Sequence, residues 1–343
     1  MADQTHISWA DMTHNEWVGC TKVSNGPLGA CEGCYACNLM ETRFSRVEFG
    51  GPGKGVGTRS LTSEANRRKP FTWDRKAAKD GTRPFVFCSS LSDVFDSDVP
   101  AEWRAALFDK IRRTPHLIWL LLTKRPGNIV KLAVAAGGLP PNAAIGCTVV
   151  TQAEADRDIP KLLAAKAALK PAFAFLSMEP LLGPVGLTSI CLQPKRAGST
   201  RAGIHINALK GQYVESGQPY LGDWDINLPP PSIPPGQLDW IITGGETDQG
   251  AHKARPSHPD WFRGLRDQCA AAGVPYHHKQ NGEWAACQND DGHWPINEGN
   301  FIRLEVDGTR GSGGWPMQRV GKKAAGRTLD GVIHDERPIV HAR

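Results

Sequence analysis

The stretch LIWLLLTKRPGNIVKLAVAAGGLPPNAAIGCTVVTQAEADRDIPKLLAAKAALKPAFAFLSMEP, residues 117–180, decides the fold class. Three continuous apolar runs, LIWLLLTKR (117–125), AAIGCTVVT (143–151) and AFAFLSMEP (172–180), alternate with two stretches of helical periodicity, RPGNIVKLAVAAG (125–137) and QAEADRDIPKLLAAKAAL (152–169). Strands that are apolar on both faces must be buried on both faces, which is the condition of a parallel sheet covered by its own connecting helices. The rhythm continues outward in both directions. Upstream lie PFVFCSS (84–90) and the helical AEWRAALFDKIRR (101–113); downstream lie LDWIITGGE (238–246), the helical HPDWFRGLRDQCAAAG (258–273) and a last short run, VPYHHKQ (274–280). At least five such units in series predict an α/β fold, a parallel (β/α) full or partial TIM-type barrel, in a single domain over 1–343.

Three segments break the rhythm. Residues 188–236 hold scattered charge, including KRAGSTRAG (195–203), and end in LPPPSIPPG (228–236); they read as an insertion closed by a stiff polyproline segment. Residues 49–70, FGGPGKGVGTRSLTSEANRRKP, are glycine-rich and basic and read as a mobile loop. The GPGKG piece lacks the spacing of a phosphate-binding P-loop. After 283 no further strand–helix unit is visible, so a C-terminal extension over about 283–343 is expected to wrap the body as a tail.

Composition narrows the function class. No run of eighteen apolar residues occurs, so no membrane span is expected. The start, MADQTHISWADMTHNEW, is polar and acidic and does not read as a secretory signal, so a cytoplasmic chain is expected. In that reducing setting nine cysteines read as ligands or small core residues, Cys88 and Cys147 within apolar runs being core, and not as a disulfide framework. A net charge of +5 permits a nucleic-acid partner without arguing for one. Eleven tryptophans supply core and rim, with some available to stack on a base.

Residues 19–37 read GCTKVSNGPLGACEGCYAC, with Cys20, Cys31 and Cys34 at C-x10-C-x2-C before an expected helix over about 35–46. Thiolates are soft ligands that suit iron–sulfur clusters or zinc. Three cysteines can hold three irons of a 4Fe–4S cube and leave the fourth open. A structural zinc site wants four closed ligands, which Cys37, His6 or His14 would complete. On spacing alone both readings stand.

In parallel barrels the chemistry gathers at the carboxyl ends of the strands. The ends here carry Ser89, Ser90 and Asp93; Thr123, Lys124 and Arg125; Thr148 and Thr151; Ser177 and Glu179; Gly244, Gly245 and Glu246; Lys279 and Gln280. Each has a bland reading as a cap or solvent-bordering residue. As a set they outline a polar pocket. His277 and His278 adjoin, so on a strand they face opposite sides. Asp11 and Asn15 precede the first cysteine and are placed to shape its loop.

Several blocks together carry a family resemblance: ISWADMTHNEWVGCTKVSNG with CEGCYAC, LLTKRP, FLSMEPLLG, IITGGETDQGAHKARPSHPDWFRGLRDQCAAAGVPYHHKQNGEW and GKKAAGRTLDG. Over nearly the whole chain outside 188–236 they resemble a phage-associated family of three-cysteine proteins of unknown function that is similar to radical S-adenosylmethionine enzymes. The chain departs from the usual C-x3-C-x2-C loop in its ten-residue first gap, in Gly33 before the last cysteine and in Tyr35 after it. The resemblance implies a 4Fe–4S cluster on Cys20, Cys31 and Cys34 with S-adenosylmethionine on the open iron. It also implies a 5′-deoxyadenosyl radical and an electron donor as partner, in the host's cytoplasm if a phage encodes the chain. The phage association together with the basic loops at 54–69 and 195–201 makes a nucleic-acid base or nucleotide the expected substrate, for an isomerase or lyase in DNA base modification or repair.

Within that scheme Gly244, Gly245 and Glu246 are expected to hold the cofactor, Glu246 taking its ammonium, with Ser89, Thr123 and Thr148 beside them. Lys124, Arg125 and Asp93 are expected to meet substrate. Glu179 and Lys279 are the expected catalytic pair, with Lys279 facing Glu246 or substrate. A monomer is expected. Two rivals belong to other classes: a zinc- or cluster-stabilised nucleic-acid-binding protein without catalysis, and a hydrolase or nuclease gathering a divalent metal on Asp93, Glu179 and Glu246.

Overall fold

Seven strands form one all-parallel sheet in chain order: β1 (Met12–His14), β2 (Phe85–Cys88), β3 (Ile118–Thr123), β4 (Ala143–Thr148), β5 (Ala174–Met178), β6 (Trp240–Thr243) and β7 (Tyr276–His278). The computed structural model describes residues 5, 7–24, 29–193, 204–215, 218–219, 236–287 and 301–340. The sheet curls into a half-barrel flanked by the crossover helices α1 (Glu64–Asp80), α2 (Ala101–Arg112), α3 (Ile129–Ala135), α4 (Gln152–Leu169) and α5 (Pro259–Ala272). It is a partial barrel, open between β1 and β7.

The alternation of each strand divides the core in two. Val86, Trp119, Leu121, Ile145, Leu176 and Ile241 face outward into the helix layer. Phe85, Ile118, Leu120, Ala144, Phe175, Trp240 and Ile242 face the concave side. There Trp9 stacks against Phe87 with ring centroids 4.5 Å apart and meets Trp240 edge-on at 6.4 Å, so aromatic rings plug the amino end of the half-barrel. The carboxyl end is left for chemistry.

Helix ends follow local signals. Ser63 caps α1 by accepting a bond from the Asn66 amide, and α1 stops at Gly81, whose φ is 65°. Thr151 caps α4 in the same way while Glu154 reaches back to the Val150 amide at 2.9 Å, close to a capping box. The region 49–70 is not a loop: Phe49–Gly51 pairs with Gly55–Gly57 in a hairpin, and α1 begins at Glu64. Its turn-forming glycines and the proline inside α1, Pro70, hid both elements.

The insertion forms a small antiparallel sheet (Ile190–Gln193, Ile204–Asn207, Gln212–Glu215, Gln218–Pro219). Cys191 N donates to Asp156 on α4, and Leu187 N to Gln268 on α5, so this unit fills the place of the missing helix between β5 and β6. Residues 195–203 and the polyproline run lie outside the described residues, apart from Gly236. The chain beyond 283 also corrects the expectation of a plain tail. Trp284–Ala286, Phe301–Leu304 and Trp315–Arg319 make a three-stranded antiparallel sheet. The last segment straps the body: Glu336 accepts from the Tyr276 amide, and Arg337 binds the Asp11 carboxylate at 3.0 and 3.1 Å, spanning the gap from β7 to β1. Among the described residues no helix is long and apolar enough to cross a membrane.

Leu120 is fully buried on the concave face and Val134 on α3 is 63% exposed. Leu120→Ala is expected to lower unfolding free energy by about 2–5 kcal/mol, and Val134→Ala by less than about 0.5 kcal/mol. Urea midpoints at matched slope check both.

Candidate metal centre at the carboxyl edge

The cysteine loop leaves the sheet just after β1. Trp17–Val18 pairs with Ser60–Leu61, and the chain is then clamped on two sides: Gly19 N donates to Leu91 O at 3.0 Å, and Gly50 N to Cys20 O at 3.2 Å. Asn15 helps by accepting from the Leu91 amide and donating to Ser90, while Asp11 serves the C-terminal strap. Cys34 precedes a single helical turn, Tyr35–Cys37, which runs into a π-helical turn at Asn38–Arg43 where one longer helix was expected. All nine cysteines are free thiols.

Cys37 is turned aside. Its thiol donates to Glu41 Oε2 at 3.1 Å, and burial together with Glu41 pushes it up to about 11. Burial, with Asp93 second, pushes Cys20 up to about 12. Two ammonium groups stand by the thiols. Burial alone would lower Lys22 and Lys124, yet both are raised, Lys22 by Cys37, Cys34 and Cys31, and Lys124 by Cys31, Cys34, Asp93 and Cys20. Among the described residues no three His, Cys, Asp or Glu side chains lie close enough together to hold a single metal ion.

Asp93 organises the neighbouring strand ends. Its carboxylate accepts from Thr123 Oγ1 at 2.8 Å, Phe95 N at 2.9 Å, Lys124 N at 3.2 Å and Arg125 Nη1 at 2.9 Å. Arg125 in turn donates to Thr21 O, next to Cys20. These two residues are therefore occupied by each other and by the loops, while Lys124 keeps its ammonium toward the thiols.

Across the concave face, Thr148 and Ser177 lie opposite one another in the β4–β5 register, both buried. Glu179 accepts from Lys279 Nζ at 2.5 Å and from Gln280 Nε2 at 3.2 Å, so the expected catalytic residues form an ion pair. Lys279 faces Glu179 and not Glu246. Glu246 is held by Arg255, whose backbone N and Nε lie 2.7 Å from Oε2 and whose Nη2 lies 2.5 Å from Oε1. Ser89, buried at φ 70°, donates its amide to His14 O.

The histidines considered as fourth ligands separate. His14 is buried beneath α1 and α2, with Nε2 3.0 Å from Glu16 Oε2 and its ring edge-on to Trp119. His6 lies outside the described residues. His277 and His278 do face opposite ways, His277 to Ser8 at 2.8 Å and His278 to Thr243 at 3.0 Å. Sequence reasoning missed Lys22, His252 and Arg255, because nothing in their spacing marks them and only the fold brings them to the site.

Residues 4–338 match a family described as a protein of unknown function, DUF5131. The chain belongs to this family. No curated protein and no solved structure matches it. Membership of DUF5131 thus defines the chain over nearly its full length and leaves the chemistry to be read from the site.

Burial pushes His278 down to about 4 and His277 to about 3 from the usual 6.5. Above pH 6.5 both rings are neutral folded or unfolded. Below it the unfolded chain takes up protons first, so unfolding free energy is lost as pH falls from 6.5 toward those folded values, at up to about 1.4 kcal/mol per pH unit per ring. His278→Gln, which keeps partners for Thr243 and Asn281, should flatten that slope in urea titrations run from pH 7 to about 4.

Proposed function

We propose that the chain is a radical S-adenosylmethionine-type iron–sulfur enzyme whose 4Fe–4S cluster sits on Cys20, Cys31 and Cys34. The observation that carries this reading is the hydrogen bond that ties the fourth thiol to a carboxylate on its own turn. Cys37 is hydrogen-bonded to Glu41, while Cys31, Cys34 and Cys20 all act on the Lys124 ammonium at the carboxyl edge. The donors fit an anionic cluster in kind: three free thiols flanked by Lys22 and Lys124. Zinc needs its ligands to converge on one ion, whereas a cube spreads three thiolates over three irons.

When bound, such a cluster supplies the electron that cleaves S-adenosylmethionine and so a radical able to take hydrogen from an unactivated carbon. The chain's own groups position and shield. Lys22 and Lys124 favour the thiolates. Gly245 admits the Asn281 carbonyl and Gly244 abuts the Glu179 side chain, so both serve the packing of the turn, and Glu246, pre-set by Arg255, offers a fixed carboxylate toward an ammonium group. Thr148, Ser177 and the Glu179–Lys279 pair line the concave face where substrate would lie, and the aromatic plug excludes water from the amino end.

A nucleic-acid base remains the proposed substrate, flipped if it comes from a duplex, in an isomerase- or lyase-type modification or repair with an external electron donor. Lys54, Arg68 and Lys69 are exposed on the hairpin and the start of α1, next to the cysteine loop, whereas Arg59 turns inward to Asp96.

Anaerobically purified protein should be brown, carry iron and sulfide, and release 5′-deoxyadenosine from S-adenosylmethionine with dithionite. Cys34→Ala should abolish colour and cleavage, and Cys37→Ala should keep both. A colourless protein with one equivalent of zinc, or loss of iron on Cys37→Ala, sinks the reading.

A further inference from the structure

The loop after β6 doubles back over the cysteine turn, and its contact there is made by a residue that no motif marks. The His252 ring packs on Gly33, between Cys31 and Cys34. Gly33 has φ 56°, and a Cβ on it would sit 2.3 Å from His252 Cδ2 and 2.6 Å from Nε2. The same loop makes a second close approach, where a Cβ on Gly250 would lie 2.6 Å from Asn38 Oδ1. His252 Nε2 is 3.1 Å from Glu246 Oε1 but off line, and it is buried without a hydrogen-bond partner. Nδ1 lies 4.0 Å from Glu32 Oε1. A buried ring nitrogen left unpaired costs free energy, and such groups concentrate where a ligand completes the site.

We propose that His252 is a positioning residue of the thiol site, locking the Cys31–Cys34 turn to the Glu246 loop through the bare face of Gly33. The two halves of the candidate site, thiols on one side and the GGE turn on the other, then keep a fixed separation. This inference rests on the thiols being a metal site and not on radical chemistry. Groups that orient first ligands typically govern affinity by tenfold or more, without binding the metal themselves.

The test reconstitutes the reduced full-length chain anaerobically with iron(II) and sulfide and follows the sulfur-to-iron charge-transfer absorption while a chelator strips the cluster. His252→Ala should lose its cluster to the chelator about tenfold faster, with unchanged absorption per bound cluster. Gly33→Ala, which keeps the imidazole but drives a methyl into it, should lose it comparably fast and carries the test if His252→Ala does not fold. His252→Gln, which restores a polar group of similar reach, should recover most of the parent's retention. Rates of cluster loss in both His252→Ala and Gly33→Ala within about twofold of the parent overturn the proposal. So does a His252→Gln variant as damaged as His252→Ala with an altered spectrum, since the nitrogen would then be a ligand. A parent chain that assembles no cluster overturns it as well. A parent that shows His252-dependent cluster retention yet releases no 5′-deoxyadenosine defeats only the radical reading.

Discussion

One carboxylate ties the carboxyl edge together. Asp93, 5% exposed, accepts four hydrogen bonds that join the segment after β2 to the end of β3, and through Arg125 it reaches the carbonyl beside Cys20. The chain thereby commits a buried ion pair to holding the first cysteine. Breaking such a pair on one side costs about 3–5 kcal/mol, because a charge is left without its partner. Placement of Cys20 is thus coupled to the strand ends and not to the loop's own conformation, which is glycine-rich and would otherwise be free.

The same economy governs the rest of the half-barrel. Its amino end is filled by Trp9, Phe85, Phe173, Phe175 and Trp240, its outer face by helices and by the small sheet standing in for a helix, and its gap by the C-terminal strap. Arg337 to Asp11 and Glu336 to Tyr276 close the two free strand edges toward each other. Unpaired strand edges invite association, so a strap across the gap protects them. Every side except the carboxyl edge is then occupied, and the polar strand ends, the thiols and the loop carrying Glu246 share that edge.

Strands and helices were legible wherever burial was complete. The runs at 84–90, 117–125, 143–151, 172–180, 238–246 and 274–280 all contain strands, because a residue buried on both faces writes apolarity without gaps. What failed to show was either short or mixed. Met12–His14 is three residues with a histidine at its end, and α1 begins with EANRRKP, whose charge and proline mask a face built on Trp73 and Ala77. The terminal sheet mixes exposed and buried residues, as in Phe301–Leu304. At the site, residue types at strand ends were legible, but pairing was not. Whether Lys279 meets Glu179 or Glu246 depends on the register of β5, β6 and β7 and on Arg255, which lies nine residues beyond Glu246 and is brought back by a loop.

The contrast between Cys20 and Cys37 shows why a raised thiol need not be an unfit ligand. Both lie well above the ordinary thiol, at about 12 and about 11. For Cys20 the leading cause is burial, and the carboxylate next in line, Asp93, is already paired with Arg125. A bound cation supplies the missing opposite charge and removes that penalty, so a coordinating thiol deprotonates despite its burial. Cys37 carries a second penalty, from a carboxylate that no other described residue neutralises at the sulfur. Glu41 stands one helical turn on, 3.1 Å from the sulfur, and accepts the thiol proton. To ionise, Cys37 must give up that hydrogen bond and face a like charge, a repulsion on the order of 4 kcal/mol near a protein surface. Lys22, bonded to the same thiol, offsets only part of this, since the net direction stays upward. The fourth sulfur is withheld by a neighbour on its own turn, and the vacant corner of the proposed cluster would follow from that local choice more than from the spacing of the other three.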